Sequence, residues 1–297
     1  MNPDWIAVDW GTTSLRAWAM TSSGIVLAAA DSAEGMSGLS PQDFEPVLLR
    51  MIESWLPPEG KLPVVACGMV GAKQGWMEAP YAPVPWNPPP RFEDPAVSGS
   101  RFDLYICPGL KQQDPADVMR GEETQIAGVL ATYPDFEGMI CLPGTHSKWA
   151  MIEGERVQSF RTFLTGEMFQ LLDGQSVLRH STHEGSLEKE EFSAAVEIGF
   201  KDPAALASKL FSIRADSLLN GLTNSQARSR LSGYLIGFEL GSARSFAAVS
   251  EISLVGRGDL VAQYRAALSV VGIKAKPLDG EEMTLAGLTA SFARLER

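Results

Sequence analysis

The chain writes one turn twice. GTTSLRAWAM fills residues 11–20 and GTHSKWAM residues 144–151, and each follows an apolar run of strand character, WIAVDW at 5–10 and MICLP at 139–143. A small Gly and hydroxyl-rich connection between apolar runs predicts a hairpin. A single copy is no more than a good connection. Two copies with the same flanks predict two halves of similar build, each opening on a β-meander. The first meander closes through Ser-Ser-Gly into IVLAAA, and the second through Glu153-Gly154 into RVQSF.

Helical periodicity follows the first meander. Phe44, Val47, Leu48, Met51, Ile52 and Trp55 fall on one face across 41–56, and LPVVAC at 62–67 then reads as a short buried strand. This succession predicts α/β layering. Between Glu78 and Val97 lie seven of the nineteen prolines, too many for a helix or a central strand. The segment reads as an extended loop: Trp76, Tyr81 and Trp86 either wall a substrate mouth or belong to a stiff connection. GEETQIAGVLAT at 121–132 predicts a helix starting near Glu122, with two acids in the turn where the helix dipole favours negative charge. After the second meander, helices are expected near 229–249 and 284–296, separated by EISLVGRGDLV, a strand opening through a Gly turn into a helix.

Composition narrows the function. Hydrophobic and charged fractions of 45% and 21% are those of a folded protein, and 297 residues suit two domains. A net charge of -11 without a basic cluster argues against nucleic acid and anionic membrane surfaces as partners. The N-terminus has no basic leader and no stretch reaches eighteen consecutive apolar residues, so a cytoplasmic location is expected. Cys67, Cys107 and Cys141 lie far apart behind apolar residues and read as buried reduced thiols. His180 and His183 in RHSTHEG have ligand-like spacing but lack a completing Cys or His, and read as a surface turn.

Gly, Thr and Ser in a hairpin turn bring backbone N–H groups and hydroxyls close to an anion. Two such turns can grip a polyphosphate from both sides. Asp9 stands where a phosphate-bound Mg²⁺ would sit, since that ion keeps most of its waters and takes one or two carboxylates. Arg16 and Lys148 offer cations. A P-loop is absent, and GRGDLV at 256–261 has two of the three glycines of a dinucleotide fingerprint.

On these residues the chain resembles the sugar-kinase branch of the superfamily holding actin and the heat-shock chaperone ATPases. VDWGTTSLRAW resembles its first phosphate motif, CLPGTHSKWAMI its second and SLVGRGDL its adenosine motif. The combination of DWGTTSLRAW, GMVGAKQGWMEAPY, DVMRGEETQIAG, LPGTHSKWA and FLTGEMFQLL resembles the 2-dehydro-3-deoxygalactonokinase family more closely. The resemblance implies an α/β fold of two ribonuclease H-like domains with mixed sheets flanked by helices, drawn here at 1–117 and 118–297, and an active site in the interdomain cleft. It implies Glu122 as catalytic base, where larger relatives carry Asp in a Gly-Asp-Gln motif. Gly11, Thr12, Thr13, Arg16, Gly144, Thr145, His146, Ser147 and Lys148 would hold the ATP phosphates, and Gly256, Arg257 and Gly258 the adenosine, with GRG in place of a plain Gly-Gly. Mg²⁺ would be held through Asp9 and waters.

The same resemblance places a sugar-contacting loop at 68–81, with Gly68, Met69, Lys73, Trp76 and Glu78. Arg120, Glu123, Gly166 and Glu167 complete the substrate set, although for Glu123 a cap of its own helix is the stronger reading. A sugar acid needs a cation for its carboxylate, and Lys73, Arg120 and Arg161 each qualify. The expected reaction is ATP-dependent phosphorylation of the terminal 6-hydroxyl of 2-dehydro-3-deoxy-D-galactonate in galactonate catabolism. The alternatives are a kinase for another aldonic acid, keto-deoxy acid or polyol, a non-catalytic ATP-binding sugar sensor, and an actin-like polymerising or chaperone-like ATPase. A chaperone would carry a peptide-binding domain and a repressor a basic helix pair, and the sequence read to residue 297 has neither. It is silent on oligomeric state, a homo-oligomer included.

Overall fold

The computed structural model describes residues 2–99, 101–244, 246 and 250–295. The last residues of the helices expected at 229–249 and 284–296 fall outside these. In chain order the elements are β1 (Trp5–Trp10), β2 (Leu15–Met20), β3 (Val26–Ser32), α1 (Phe44–Ile52), β4 (Leu62–Gly68), β5 (Tyr81–Pro83), β6 (Val97–Ser98), β7 (Phe102–Ile106), β8 (Gly109–Gln113), β9 (Ala116–Met119) and α2 (Glu122–Thr132). Then come β10 (Gly138–Leu142), β11 (Ser147–Glu153), β12 (Arg156–Phe163), α3 (Thr165–Gly174), α4 (Arg179–Thr182), α5 (Lys189–Lys201), α6 (Leu206–Leu219), α7 (Asn224–Ala243), β13 (Glu251–Gly256), α8 (Gly258–Val270), β14 (Lys274–Asp279) and α9 (Gly280–Phe292).

Contacts divide the chain into two compact units: residues 1–137, 152–159 and 280–297, and residues 138–151 and 160–279. This differs from a single boundary at 117/118. α2 belongs to unit 1 because it packs along α9, the last helix of the chain. A Cβ on Gly128 would lie 1.8 Å from Met283 O, and one on Gly287 would lie 1.9 Å from Thr124 O, so these two glycines let the helix backbones touch. α2 is therefore buried nearly all round, beyond the single apolar face that its sequence shows.

The two larger sheets repeat one order, as a ribonuclease H-like pair requires. In unit 1 the order is β3-β2-β1-β4-β7-β6, and in the sheet carrying the second meander it is β12-β11-β10-β13-β14. β1 pairs antiparallel with β2 and parallel with β4, which in turn pairs parallel with β7. A strand covered on both faces must be apolar throughout, and WIAVDW is buried except at Asp9. α1 lays Phe44, Val47, Leu48 and Ile52 into that core. The Pro-rich segment is extended, with β5 joining β8 and β9 in a small third sheet.

In unit 2, α7 starts from a capping box of Thr223 and Gln226 and runs through the core with burial on nearly every side. His180 and His183 are exposed, as expected, with His183 and Glu184 in a turn; just before these two, Arg179–Thr182 form one helical turn whose Ser181 and Thr182 are buried. All three cysteines are free and buried, Cys67 in β4, Cys141 in β10 and Cys107 just beyond β7. Burial pushes the thiols up, Cys107 to about 12.

Candidate active site

In unit 1 the first turn is closed by Gly11 N–H donating to Ser14 O at 2.9 Å, leaving Thr12 and Thr13 exposed. Asp9 is the one residue of β1 that is not fully buried. The strand register sets it beside Arg16 on β2 and Cys67 on β4. Arg16 Nη2 meets Asp9 Oδ2 at 2.5 Å and its Nη1 meets Glu281 Oε2 at 3.1 Å, so one guanidinium spans two carboxylates. Both partners of the first pair keep water contact, at 35% and 22% side-chain exposure.

Gly68 ends β4 at φ 91°, a left-handed conformation that glycine adopts without strain. A Cβ there would fall 2.7 Å from Trp10 O and 3.4 Å from Asp9 Oδ1, and the Cβ position of Gly121 lies 3.4 Å from Gly68 Cα. Asp9, Gly68 and the N-terminus of α2 therefore converge. Glu122 is partly exposed and accepts from Arg120 N at 3.2 Å. Glu123 points inward, accepting from Gly121 N at 2.6 Å and Thr124 Oγ1 at 3.2 Å. Burial first, and then the neighbouring Glu122, push its carboxyl up to about 8. Of its two readings, the cap of its own helix is the one this geometry matches.

The loop at 68–81 separates its candidates. Met69 is half-buried in a short turn, and Lys73 and Glu78 are exposed. Trp76 is not an open stacking surface: its ring lies between Phe44, Trp10 and Phe102 at centroid distances of 5.9, 6.1 and 6.0 Å. Trp76 itself stays partly exposed, whereas Trp86 is buried. Arg120 is 9% exposed; its Nη2 donates to Ala79 O at 2.7 Å and its guanidinium lies 4.3 Å from the Tyr81 ring centroid. Its Nε and Nη1 are buried without a hydrogen-bond partner. Arg161, in unit 2, lies over Phe246 at 4.9 Å with Nε similarly unpartnered.

In unit 2 the second turn sits on a buried polar network. Ser147 Oγ and Tyr264 OH are 2.8 Å apart, Tyr264 OH donates to Glu239 Oε2 at 2.6 Å, and Trp149 Nε1 donates to Glu239 Oε1 at 2.7 Å. Glu239 is 0% exposed and also hydrogen-bonds Thr165. Burial is the largest influence on its carboxyl and raises it above the usual range, against the hydrogen bonds from Thr165, Tyr264, Trp149 and Ser147. Lys148 is buried too, its Nζ donating to His146 O at 3.1 Å. His146 Nε2 lies 2.5 Å from Glu167 Oε2, and Glu167 N donates to Thr145 O at 2.9 Å, tying the turn to the start of α3.

A cavity of about 410 Å³ opens beside this turn, lined by Gly144, Thr145, Gly166, Ser232, Asp259 and Gln263 among others. Gly256, Arg257 and Gly258 do not line it. Arg257 is held by Asp279 at 2.9 and 3.1 Å at the end of β13. Asp259, Leu260 and Gln263 on the following helix do the lining, with Tyr264. Sequence reasoning missed these, although 259, 260, 263 and 264 share one helical face. Ser232 Oγ donates to Gln263 Oε1 at 2.9 Å and orients that amide. Among the described residues no cluster of three metal-ligating side chains occurs, and no helix is long and apolar enough to cross a membrane.

A family model described as 2-keto-3-deoxy-galactonokinase matches residues 9–291. A probable 2-dehydro-3-deoxygalactonokinase of Rhizobium meliloti (strain 1021) is 39% identical over 96% of this chain and 95% of its own length. The 2-dehydro-3-deoxygalactonokinase of Escherichia coli (strain K12) is 35% identical over 97% of each. The crystal structure of a protein provisionally named for the same activity, from Sinorhizobium meliloti, superposes with a TM-score of 0.89 at 37% identity, covering 98% of this chain and 99% of that one.

Proposed function

Because the chain belongs to the 2-keto-3-deoxy-galactonokinase family, we propose that it transfers the γ-phosphoryl group of ATP to the 6-hydroxyl of 2-dehydro-3-deoxy-D-galactonate. The observation that carries this reading is the convergence of Asp9, Gly68 and the Glu122 end of α2. Phosphoryl transfer asks for positioning and charge neutralisation, together with a group that takes the hydroxyl proton. Glu122, partly exposed in a first helical turn, has the place and chemistry of that base. It accepts the 6-hydroxyl proton as the oxygen bonds to the γ-phosphorus; the bond to the bridging oxygen breaks and ADP leaves.

Within unit 1 the turn Gly11–Thr13 is offered to phosphate; within unit 2 the turn Gly144–His146 is, with the cavity beside Gly144 offered to the nucleoside. Ser147 and Lys148 contribute from beneath their turn. Asp9 and waters fit Mg²⁺, which takes few protein carboxylates; the ion supplies neutralisation of phosphate charge. Arg16 already has a second acid in Glu281, so Asp9 can exchange Arg16 for the cation without stranding it. For the substrate carboxylate, Arg120 has the strongest support: a buried cation with unpartnered donors attracts an anion more than exposed Lys73 does. A cytoplasmic location, where ATP is supplied, belongs to the same reading.

The test is an ADP-release assay across a panel of sugar acids. Turnover on 2-keto-3-deoxygalactonate should exceed that on the gluconate epimer and on glycerol. Equal rates on all three would remove the substrate assignment, and ADP release independent of any sugar acid would favour an ATPase.

A further inference from the structure

The Pro-rich segment has one feature that the proposed reaction does not use. Trp86–Arg91 form one wall of a cavity of about 760 Å³ in unit 1. This wall is pinned where Trp86 N donates to Val157 O at 3.0 Å and Val157 N to Trp86 O at 2.9 Å. The C-terminal half of α2 forms another wall through Ala127, Leu130 and Ala131, and Pro134 follows it. Arg156, beside Glu155 in the turn before β12, and Arg294, beyond α9, complete the lining. None of the residues that converge at Asp9 and Glu122 takes part.

Arg91, Arg156 and Arg294 thus reach one concavity from three separate parts of the sequence, with Glu155 the single acid among its lining residues. Among the described residues none of the three has an ion-pair partner, whereas Arg16, Arg50, Arg228, Arg230 and Arg257 each do. In a chain of net charge -11 such a gathering runs against the overall field. All three line the concavity from exposed positions, and positive charge gathered around a concave wall favours an anion there. Guanidinium forks match phosphate and carboxylate oxygens in pairs. The volume is that of a metabolite site and exceeds the needs of a lone phosphate.

We propose that this cavity binds a small multiply charged anion of the phosphorylated-acid class, against the helix whose first residue is Glu122. The site is independent of the phosphoryl-transfer reading and stands or falls by direct binding. The experiment is calorimetric titration of the full chain with 6-phosphogluconate and, separately, with inorganic phosphate, both under saturating ADP so that the nucleotide phosphate subsites are filled. Saturable binding of 6-phosphogluconate is expected, at least about tenfold weaker in the Arg91→Ala/Arg156→Ala double variant. Ala131→Trp fills the cavity from an exposed position without changing any charge, and should weaken binding by a similar factor. Arg50→Ala, on α1, should leave it within about twofold.

Equal affinity for inorganic phosphate, lost in the same variants, also supports the site and assigns it to the phosphate group alone. No saturable binding of either probe at millimolar concentration overturns the proposal. So does an affinity that neither the double variant nor Ala131→Trp changes.

Discussion

The two turns share a sequence but not a foundation. Beneath the first, Asp9 and Arg16 form a half-exposed pair whose arginine is shared with Glu281. Beneath the second, Ser147 is hydrogen-bonded to a fully buried Tyr264–Glu239–Trp149 network. Exposed ion pairs contribute little and exchange partners easily, whereas a buried network with its donors satisfied fixes one geometry. The first turn therefore rests on a pair that can change partners, as the proposed Mg²⁺ at Asp9 would require, and the second on a preformed shape.

Removing the foundation of the second turn should have the largest effect. Glu239→Ala leaves the Trp149 indole and the Tyr264 hydroxyl without an acceptor in the core, and should cost about 3 kcal/mol of unfolding free energy in urea, together with nucleotide affinity. Glu239→Gln keeps one acceptor oxygen and should lose about half of that. Equal stability of all three proteins would show that the network does not hold the turn. Next, Asp9→Asn should lower kcat about 10²-fold, some 2.7 kcal/mol of barrier, with unfolding free energy within about 1 kcal/mol of wild type. A loss of stability larger than the kinetic loss would reverse the comparison.

The pH dependence is smaller and has a definite sign. The folded chain keeps the Glu123 proton up to about pH 8, whereas the carboxyl ordinarily releases it near 4.5. The folded state thus binds the extra proton across this interval, and stability falls as pH rises through it. Glu123→Gln does not titrate, so it should gain at least about 1 kcal/mol on wild type between pH 5 and pH 8 in urea melts. A constant difference would place that carboxyl outside the core. Smallest of all, Lys73→Ala should change the sugar-acid KM less than about threefold, while Arg120→Lys, which loses the planar fork, should raise it more. The opposite order would move the carboxylate subsite to the exposed end of the loop.

Local pattern made much of this legible. Both meanders, the start of α2 and the strand before Gly256 follow from alternation, turn residues and helix-start signals within a few positions of each other. What escaped depends on distant partners. Trp76 looks like a stacking platform until Phe44, Trp10 and Phe102 surround it. α2 shows one apolar stripe in sequence, and only the glycine contact with α9 explains its burial on the other sides. Glu239 had a visible signal, a lone acid in the apolar run LIGFELG. Its partners Trp149 and Tyr264 lie 90 and 25 residues away, beyond the reach of any periodicity.

The most direct measurement is on the proton acceptor. Glu122→Gln keeps the shape and the hydrogen bond of the side chain but cannot take a proton. With ATP and 2-keto-3-deoxygalactonate its kcat should fall about 10²-fold or more, while calorimetry shows nucleotide binding unchanged. A near-wild-type kcat would contradict the account.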